Sequence, residues 1–573
     1  MKLFSKIVFQ FLLLSTPLLN FILMAQDKTI IIDAYKNESA VDLLIGTNAG
    51  PMGLQDYSLD YTSLFKDLGI KAIRTQGYYG PCDWWYIFRT WSNDVNNPKS
   101  YNFAGTDSVI KKIIDGGFEV LFRLGTSWKQ EGTNINDPPG TIRNSNGVII
   151  HQADSNDFKK FAEICKRIVM HYNDGWANGF NYNIKKWEIW NEPSYTEQFW
   201  NGTNLQFIQM FSFVSKALKS YNPSLVIGGP GQESNVSEAF ERDLINDCKT
   251  KNTPLDFYSF HSYGGTREYS TPYDVVRKAT NSRLLLNNNG YLTAKLYCTE
   301  FNSEINKDNY ANSGRGAAFY ASAFIYLALN GVTELYQYRA DNHPLGMTLE
   351  GGSLKQAAES MRAWKRLTEF PIRISTAGVD TFGFTSMATK TMDGKIIRVI
   401  CSNFPSKSTA VKLIINNLPS YNAKWILSRR TIDNTKKLSL SDSLEIISTE
   451  NSLQYNFLMQ SESVDFIELS INASLGLKNK QPELKGFCLN QNYPNPFNPS
   501  TIISYTVETV ESVSVKLYLF DMLGREVKTL VDKKQNAGSY SVEWRPEKLP
   551  SGVYYYQLHA GKYSQVRKMV YFK

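Results

Sequence analysis

Two short stretches hold the residues best suited to chemistry. One is Trp187-Glu188-Ile189-Trp190-Asn191-Glu192-Pro193, the other Leu296-Tyr297-Cys298-Thr299-Glu300-Phe301-Asn302. Each is an apolar run that closes on a carboxylate. Pro193 has no N–H to donate, so a strand ladder stops there. Two facing carboxylates can divide labour at a glycosidic bond. One stays protonated and donates to the leaving oxygen; the other stays ionised and attacks or activates water. An apolar or like-charged setting raises one proton affinity, and hydrogen-bond donors lower the other. A gap of roughly 5–5.5 Å gives retention of configuration, and roughly 6.5–9.5 Å gives inversion. A lone Glu at a strand end is ordinarily a solvated surface residue. A pair, each closing a core-type strand, argues for a site. Glu188 alternates onto the Glu192 side but deeper, and reads as a buried structural carboxylate.

The elements that must position this pair alternate in type. Eight short apolar runs are Leu43–Gly46, Ala72–Thr75, Val120–Arg123, Trp187–Trp190, Leu225–Gly228, Phe257–Phe260, Leu296–Thr299 and Glu334–Gln337. Between them lie helical stretches, including Ser155–Tyr172, Leu205–Tyr221, Tyr273–Leu286, Gly314–Leu329 and Ser353–Leu367. In the first, Phe158, Phe161, Cys165 and Ile168 recur at helical spacing, and Asn156 or Ser155 can cap it. Eight strand–helix repeats predict an α/β fold, a (β/α)8 TIM barrel over residues 26–371. A doubly wound sheet is the rival, but no Gly-rich phosphate loop follows the first strand. In a barrel Glu192 ends the fourth strand and Glu300 the seventh, at the C-terminal face where active sites sit.

The flanks differ in character. Residues 1–25 read as an export signal: Lys2 and Lys6, then an apolar run from Ile7 to Met24 closing at Ala25. Residues 372–471 are rich in Thr, Ser and Val with short alternating stretches such as Ile396–Cys401 and Ala410–Ile415, which predicts a β-sandwich. Residues 472–488 read as a linker. Residues 489–573 read as a small immunoglobulin-like β domain with strands Ser512–Phe520, Gly538–Trp544 and Gly552–His559. The net charge of +8 is spread along 573 residues, without a basic block, which disfavours nucleic acid. Aromatics reach 13%, and such faces suit sugar rings. Six dispersed cysteines and five histidines show no zinc spacing, so neither a metal nor a cofactor is expected. Cys165 and Cys298 fall on apolar faces as buried thiols; one or two disulfides elsewhere would suit an exported chain.

Trp190-Asn191-Glu192-Pro193 and Thr299-Glu300-Phe301-Asn302 resemble the acid/base and nucleophile motifs of the clan A glycoside hydrolases, and over roughly residues 40–470 the chain looks most like family 39, the β-xylosidase and iduronidase family. The resemblance implies a retaining β-glycosidase. Glu192 would be the acid/base and Glu300 the nucleophile. Asn191 would bond the sugar 2-hydroxyl, and Arg74 would bond the nucleophile. His261 and Tyr263 would line the site from the sixth strand. The family's eighth strand usually supplies a tryptophan floor. Here it reads Tyr336-Gln337-Tyr338-Arg339, so Tyr338 is the candidate substitute, with Trp128 or the Trp84-Trp85 loop as an aromatic wall. The alternatives are an endo-acting glycanase of the same clan and a non-catalytic carbohydrate-binding protein. Asn492-Tyr493-Pro494-Asn495-Pro496-Phe497-Asn498-Pro499, Leu523-Gly524-Arg525-Glu526-Val527 and Ser551-Gly552-Val553-Tyr554 resemble a type A sorting domain of the type IX secretion system. That implies the secretion machinery as a partner and a secreted or cell-surface location, beside a carbohydrate substrate. Oligomeric state leaves no trace in the sequence.

Overall fold

The computed structural model describes residues 28–572 apart from 54–57, 79, 128–140, 144–148, 153, 195–198, 201, 234–237, 265–270, 304–309, 350–351, 371, 421–422, 472–483, 493–494, 510–511, 537, 547–548 and 562. The export signal expected at 1–25 and the expected wall residue Trp128 lie outside the described residues. No helix among those described is long and apolar enough to cross a membrane.

All eight expected barrel strands form, in chain order Leu44–Asn48, Ala72–Arg74, Glu119–Leu124, Lys186–Ile189, Val226–Gln232, Phe257–Tyr263, Lys295–Asn302 and Val332–Gln337. They are parallel and close into one barrel, the eighth strand returning to the first. The interior is packed. Ala72, Leu121, Phe257, Tyr297 and Tyr336 form one buried layer inside it, with the Phe257 and Tyr297 rings stacked at 4.3 Å. Gly46 is required there, because a Cβ at this position would come within 2.5 Å of the Tyr336 ring. At the opposite, N-terminal end Lys186 bridges Glu334 at 2.5 Å and Glu119 at 2.9 Å.

The helix after the third strand runs Ser155–Asp174 and buries Phe158, Phe161, Cys165 and Ile168, as their spacing predicts. Its cap is not Asn156 or Ser155 but Asp154, whose carboxylate accepts from Asn156 N and Asp157 N while Asp157 reaches back. Two donors satisfied reciprocally outweigh a single hydroxyl or amide cap. The helix Gly314–Leu329 is buried almost throughout. An all-round apolar helix must be covered on every side. One side meets the barrel and the other meets the next domain, where Ser322 Oγ donates to Ser402 Oγ at 2.9 Å and Tyr326 OH donates to Asp380 O at 2.7 Å.

That domain is a nine-stranded sheet folded over a single apolar core that runs from Ile30 to Leu469. Tyr455 on one edge strand donates to Asp442 on the other, so the two edges meet. One of its strands comes from a place the sequence does not suggest. Lys28–Asn37, expected within the barrel segment, pairs antiparallel with Ile372–Ala377 and parallel with Thr409–Asn416. Its alternation marks a strand, but the partner lies more than 300 residues away and leaves no local signal. The last domain has its own core and two sheets, of three and four strands. Its first strand, Leu484–Leu489, starts inside the stretch expected to be linker and pairs with Thr501–Thr509. Lys- and Pro-rich composition hides a strand whose existence depends on its neighbour. Cys82, Cys165, Cys248, Cys298 and Cys401 are buried free thiols.

Candidate active site

The fourth strand ends in a sharp turn. Trp190 and Glu192 both take positive φ, 78° and 44°. Left-handed backbone is unfavourable for side chains of this size, so surroundings must hold it. Trp190 is fully buried, its ring edge-on to Phe161 and Trp200, and its Nε1 donates to Phe199 O at 3.1 Å. Glu192 N donates to Gly231 O at 3.0 Å. The turn thereby aims Asn191 and Glu192 into the mouth of the barrel.

Arg74 organises the centre. Its guanidinium is wholly buried and serves four acceptors, from the first strand, the fourth strand and its turn, and the seventh strand. Nε donates to Glu188 Oε2 at 2.6 Å, and Nη1 to Glu300 Oε1 at 2.8 Å and Asn48 Oδ1 at 3.0 Å. Nη2 donates to Asn191 Oδ1 at 2.7 Å. Burial alone would lower its proton affinity, but the carboxylates of Glu188 and Glu300 outweigh that and hold it above the ordinary arginine value. A buried planar fork fits this role, where a lysine point charge could not serve four acceptors. The second oxygen of Glu300 accepts from Tyr263 OH at 2.5 Å. Both oxygens of Glu300 are therefore hydrogen-bond acceptors.

Glu192 has a different environment. One of its oxygens lies 2.6 Å from His261 Nδ1. Burial pushes its proton affinity up to about 7, against the pull of Arg74 and Lys278. Burial also pushes His261 down to about 4, against the attraction of Glu300. A neutral imidazole can accept at Nδ1, so where His261 is neutral and Glu192 protonated the carboxyl donates to it. One oxygen of Glu192, one of Glu300 and a ring nitrogen of His261 all lie within 4.8 Å of one another. That gap falls on the short side of the division between retaining and inverting pairs. These three are also the described set compact enough to chelate a cation; Arg74, Tyr263 and their mutual hydrogen bonds already account for their positions.

The structure thus brings Arg74, Asn191, Glu192, His261, Tyr263 and Glu300 together. Tyr338 joins them: its ring meets that of Tyr263 at 6.2 Å, edge to face. The wall expected from the second loop is corrected for Trp84. Trp84 turns inward against Phe161 and Trp91 and belongs to the core. Trp85 stays half-buried, with Nε1 on Thr126 Oγ1 at 3.3 Å. Core aromatics beside the barrel compete for the same residue type, and on the short helix Trp84–Ile87 successive side chains face different ways.

Sequence reasoning missed several neighbours. Asn48 bridges Arg74 to Thr299 O, which it reaches at 2.9 Å. Buried Asp83 ties the second loop to the third, accepting from Arg123 and from Ser127 N and Oγ, the last two at 2.7 Å. Glu233, beside Ser194 and Lys278, lies at the end of the fifth strand. Arg339 pairs with Asp341 and keeps Nη1 unpartnered among the described residues. The one available signal was position: each lies at or beyond the C-terminal end of a barrel strand.

Residues 44–314 match the profile of glycosyl hydrolases family 39, and residues 491–571 match that of a secretion system C-terminal sorting domain. A beta-xylosidase of Geobacillus stearothermophilus is 23% identical over 286 residues, 46% of this chain. The match spans 53% of that relative, about half its length. Among solved structures, a glucosidase from Croceicoccus marinus superposes with a TM-score of 0.62 at 22% identity, covering 77% of this chain and 99% of its own. A monomeric beta-xylosidase from Caulobacter crescentus CB15 gives 0.58 at 15%, covering 78% and 100%. These structures share the fold. The chain carries a family 39 glycosyl hydrolase domain and, at its other end, a secretion system C-terminal sorting domain.

Proposed function

We propose that the chain is an exported retaining β-glycosidase in which Glu192 is the acid/base and Glu300 the nucleophile. The observation that carries this reading is the unequal pair: two carboxylates within 4.8 Å, one burdened by burial and one served by Arg74 and Tyr263. Glu300 attacks the anomeric carbon while Glu192 gives its proton to the leaving oxygen. A glycosyl ester on Glu300 results. Glu192, now ionised, takes a proton from water, and that water cleaves the ester with net retention. Asn191, held by Arg74 through its Oδ1, keeps its Nδ2 unpartnered among the described residues and offers it to the 2-hydroxyl. Tyr338 and Tyr263 floor the sugar. Relatives named beta-xylosidases make β-xylosides the first substrates to try. The sorting domain supports passage to the cell surface or medium by its secretion system.

Aryl β-glycosides of several sugars test the reading. Glu300→Ala should abolish turnover, and azide should restore it as a glycosyl azide of inverted configuration. Azide rescue of Glu192→Ala should give the retained product. The opposite pairing of variants and products would exchange the two roles. A wild-type chain that binds glycans but turns over none of the panel would make it a binding protein.

A further inference from the structure

Lys278 lies on the helix Asp274–Asn288, which follows the sixth barrel strand, and its ammonium points inward. Its hydrogen bonds among the described residues go to two backbone carbonyls, Gln232 O at 3.3 Å and Glu233 O. Both carbonyls belong to the segment that closes the fifth strand. The same segment holds the turn that carries Glu192. Gly231 O accepts from Glu192 N at 3.0 Å, and Gln232 Nε2 donates to Ser194 Oγ at 2.8 Å. Ser194 Oγ donates in turn to the Glu233 carboxylate, which also accepts from Gln232 Nε2 at 3.0 Å. Glu192 sits at φ 44°, a backbone state that persists only where the surroundings enforce it. Three bonds to one segment supply that enforcement, and Lys278 anchors the segment from outside.

We propose that Lys278 is a positioning residue for Glu192: an inward cation, fixed through Gln232 and Glu233 to the turn that carries the acid/base, whose charge favours release of the Glu192 proton. The proposal rests on the acid/base role given to Glu192. Arg74 pulls on Glu192 in the same direction and more strongly, but it also holds Glu188, Glu300, Asn191 and Asn48; Lys278 is the cation that can be removed without touching those bonds. The charged and titratable groups around Glu192 come from six elements. They are Arg74 on the second strand, Glu188 on its own strand, Glu233 after the fifth, His261 and Tyr263 on the sixth, Cys298 and Glu300 on the seventh, and Lys278 on the helix. Around Lys278 stand Glu241, Glu233, Cys298 and Glu192. Burial holds Lys278 down to about 8, with those groups pulling the other way. The carboxylates of Glu241, Glu233 and Glu192 favour its charged form against that burial.

The sign follows. A nearby cation favours the ionised carboxyl, so its removal makes Glu192 hold its proton to higher pH. The test is the pH dependence of kcat/KM of the full chain on one aryl β-glycoside, for wild type, Lys278→Met and Lys278→Arg. Lys278→Met should move the alkaline limb up by about half a pH unit or more, and Lys278→Arg should leave it at or below the wild-type position. Activity lost equally at every pH in Lys278→Met, with the limb unmoved, would overturn the proposal as a merely structural effect. Should Lys278→Met not fold, Lys278→Arg decides alone: a raised limb overturns. Should wild type turn over no substrate, the glycosidase reading fails separately. The same shift is then read as the Glu192 carboxyl titration in difference infrared spectra of the full chain, its band assigned by its loss in Glu192→Gln. No shift there overturns the proposal.

Discussion

At the scale of single residues, the site works because one guanidinium and one histidine treat two like groups differently. Arg74 is the residue whose loss should cost most. Arg74→Met would leave Glu188 and Glu300 buried without their shared cation, and breaking a buried pair in this way costs about 3–5 kcal/mol. Urea denaturation should show a loss of that size, and kcat/KM should fall at least about 100-fold. A variant as stable as wild type would mean that water replaces the guanidinium. The opposed shifts of Glu192 and His261 give a second expectation. Glu192 is raised to about 7, so its contribution to stability is complete at low pH and is lost as pH climbs from its unfolded value of roughly 4.3 to 7. His261 is lowered to about 4, so its contribution is complete above roughly 6.5 and is lost as pH falls towards 4. Between pH 4.5 and 6.5 the two slopes oppose each other. Glu192→Gln removes the first, so its stability should rise with pH more steeply than wild type over that window. Denaturation midpoints at pH 4.5, 5.5 and 6.5 check this, and parallel curves would refute it.

At the scale of elements, the strand ends matter more than the strands. The expected residues that the structure gathers stood at or just past the end of an apolar run: Arg74, Asn191, Glu192, His261, Tyr263, Glu300 and Tyr338. Their partners were not legible, because Asn48, Glu233 and Lys278 meet Arg74 or the Glu192 turn only after the barrel closes. Trp84 misled for the same reason, since an aromatic in a loop serves a core as readily as a sugar. The strand Lys28–Asn37 carries the same lesson. Ile30 and Ile32 point into the sandwich core with no exposed surface. The strand lies between Ile372–Ala377 and Thr409–Asn416 and so joins the two parts of the sheet. Ile30→Ala should therefore cost about 2–5 kcal/mol, as for a fully buried aliphatic residue. The position also constrains export: cleavage after Ala25 would spare the strand, whereas cleavage beyond residue 30 would open the sandwich. Urea titration of Ile30→Ala, and mass determination of the mature N-terminus, check the two expectations.

At the scale of the whole molecule, the chain divides by how its cores connect. The barrel and sandwich share the helix Gly314–Leu329, the Ser322–Ser402 hydrogen bond and a continuous apolar cluster that includes Phe319, Met387, Ile400 and Phe466. They should unfold together. The profile match to family 39 stops at residue 314, before the eighth strand. Tyr338, one of the two proposed floor residues, therefore lies beyond the matched segment, and Tyr263 lies within it. The last domain has a core of its own, although its surface lies against the other two, Gly524 beside Met392 and Tyr555 and Arg567 beside Asp42 and Lys71. Its strands pair among themselves, and its core, from Leu489 to Tyr571, is a separate cluster. Among the described residues, no hydrogen bond or ion pair links it to Glu192 or Glu300. A chain ending at residue 471 should therefore keep kcat/KM within about twofold of the full chain and keep its main unfolding transition, since independent cores contribute independently. In the producing cell the same truncation should abolish release to the surface or medium, because the sorting domain is gone. Activity measured on washed cells, medium and lysate separates the outcomes. Loss of turnover in the purified truncated chain would mean that the domain supports the barrel. Undiminished surface activity would mean that export does not depend on it.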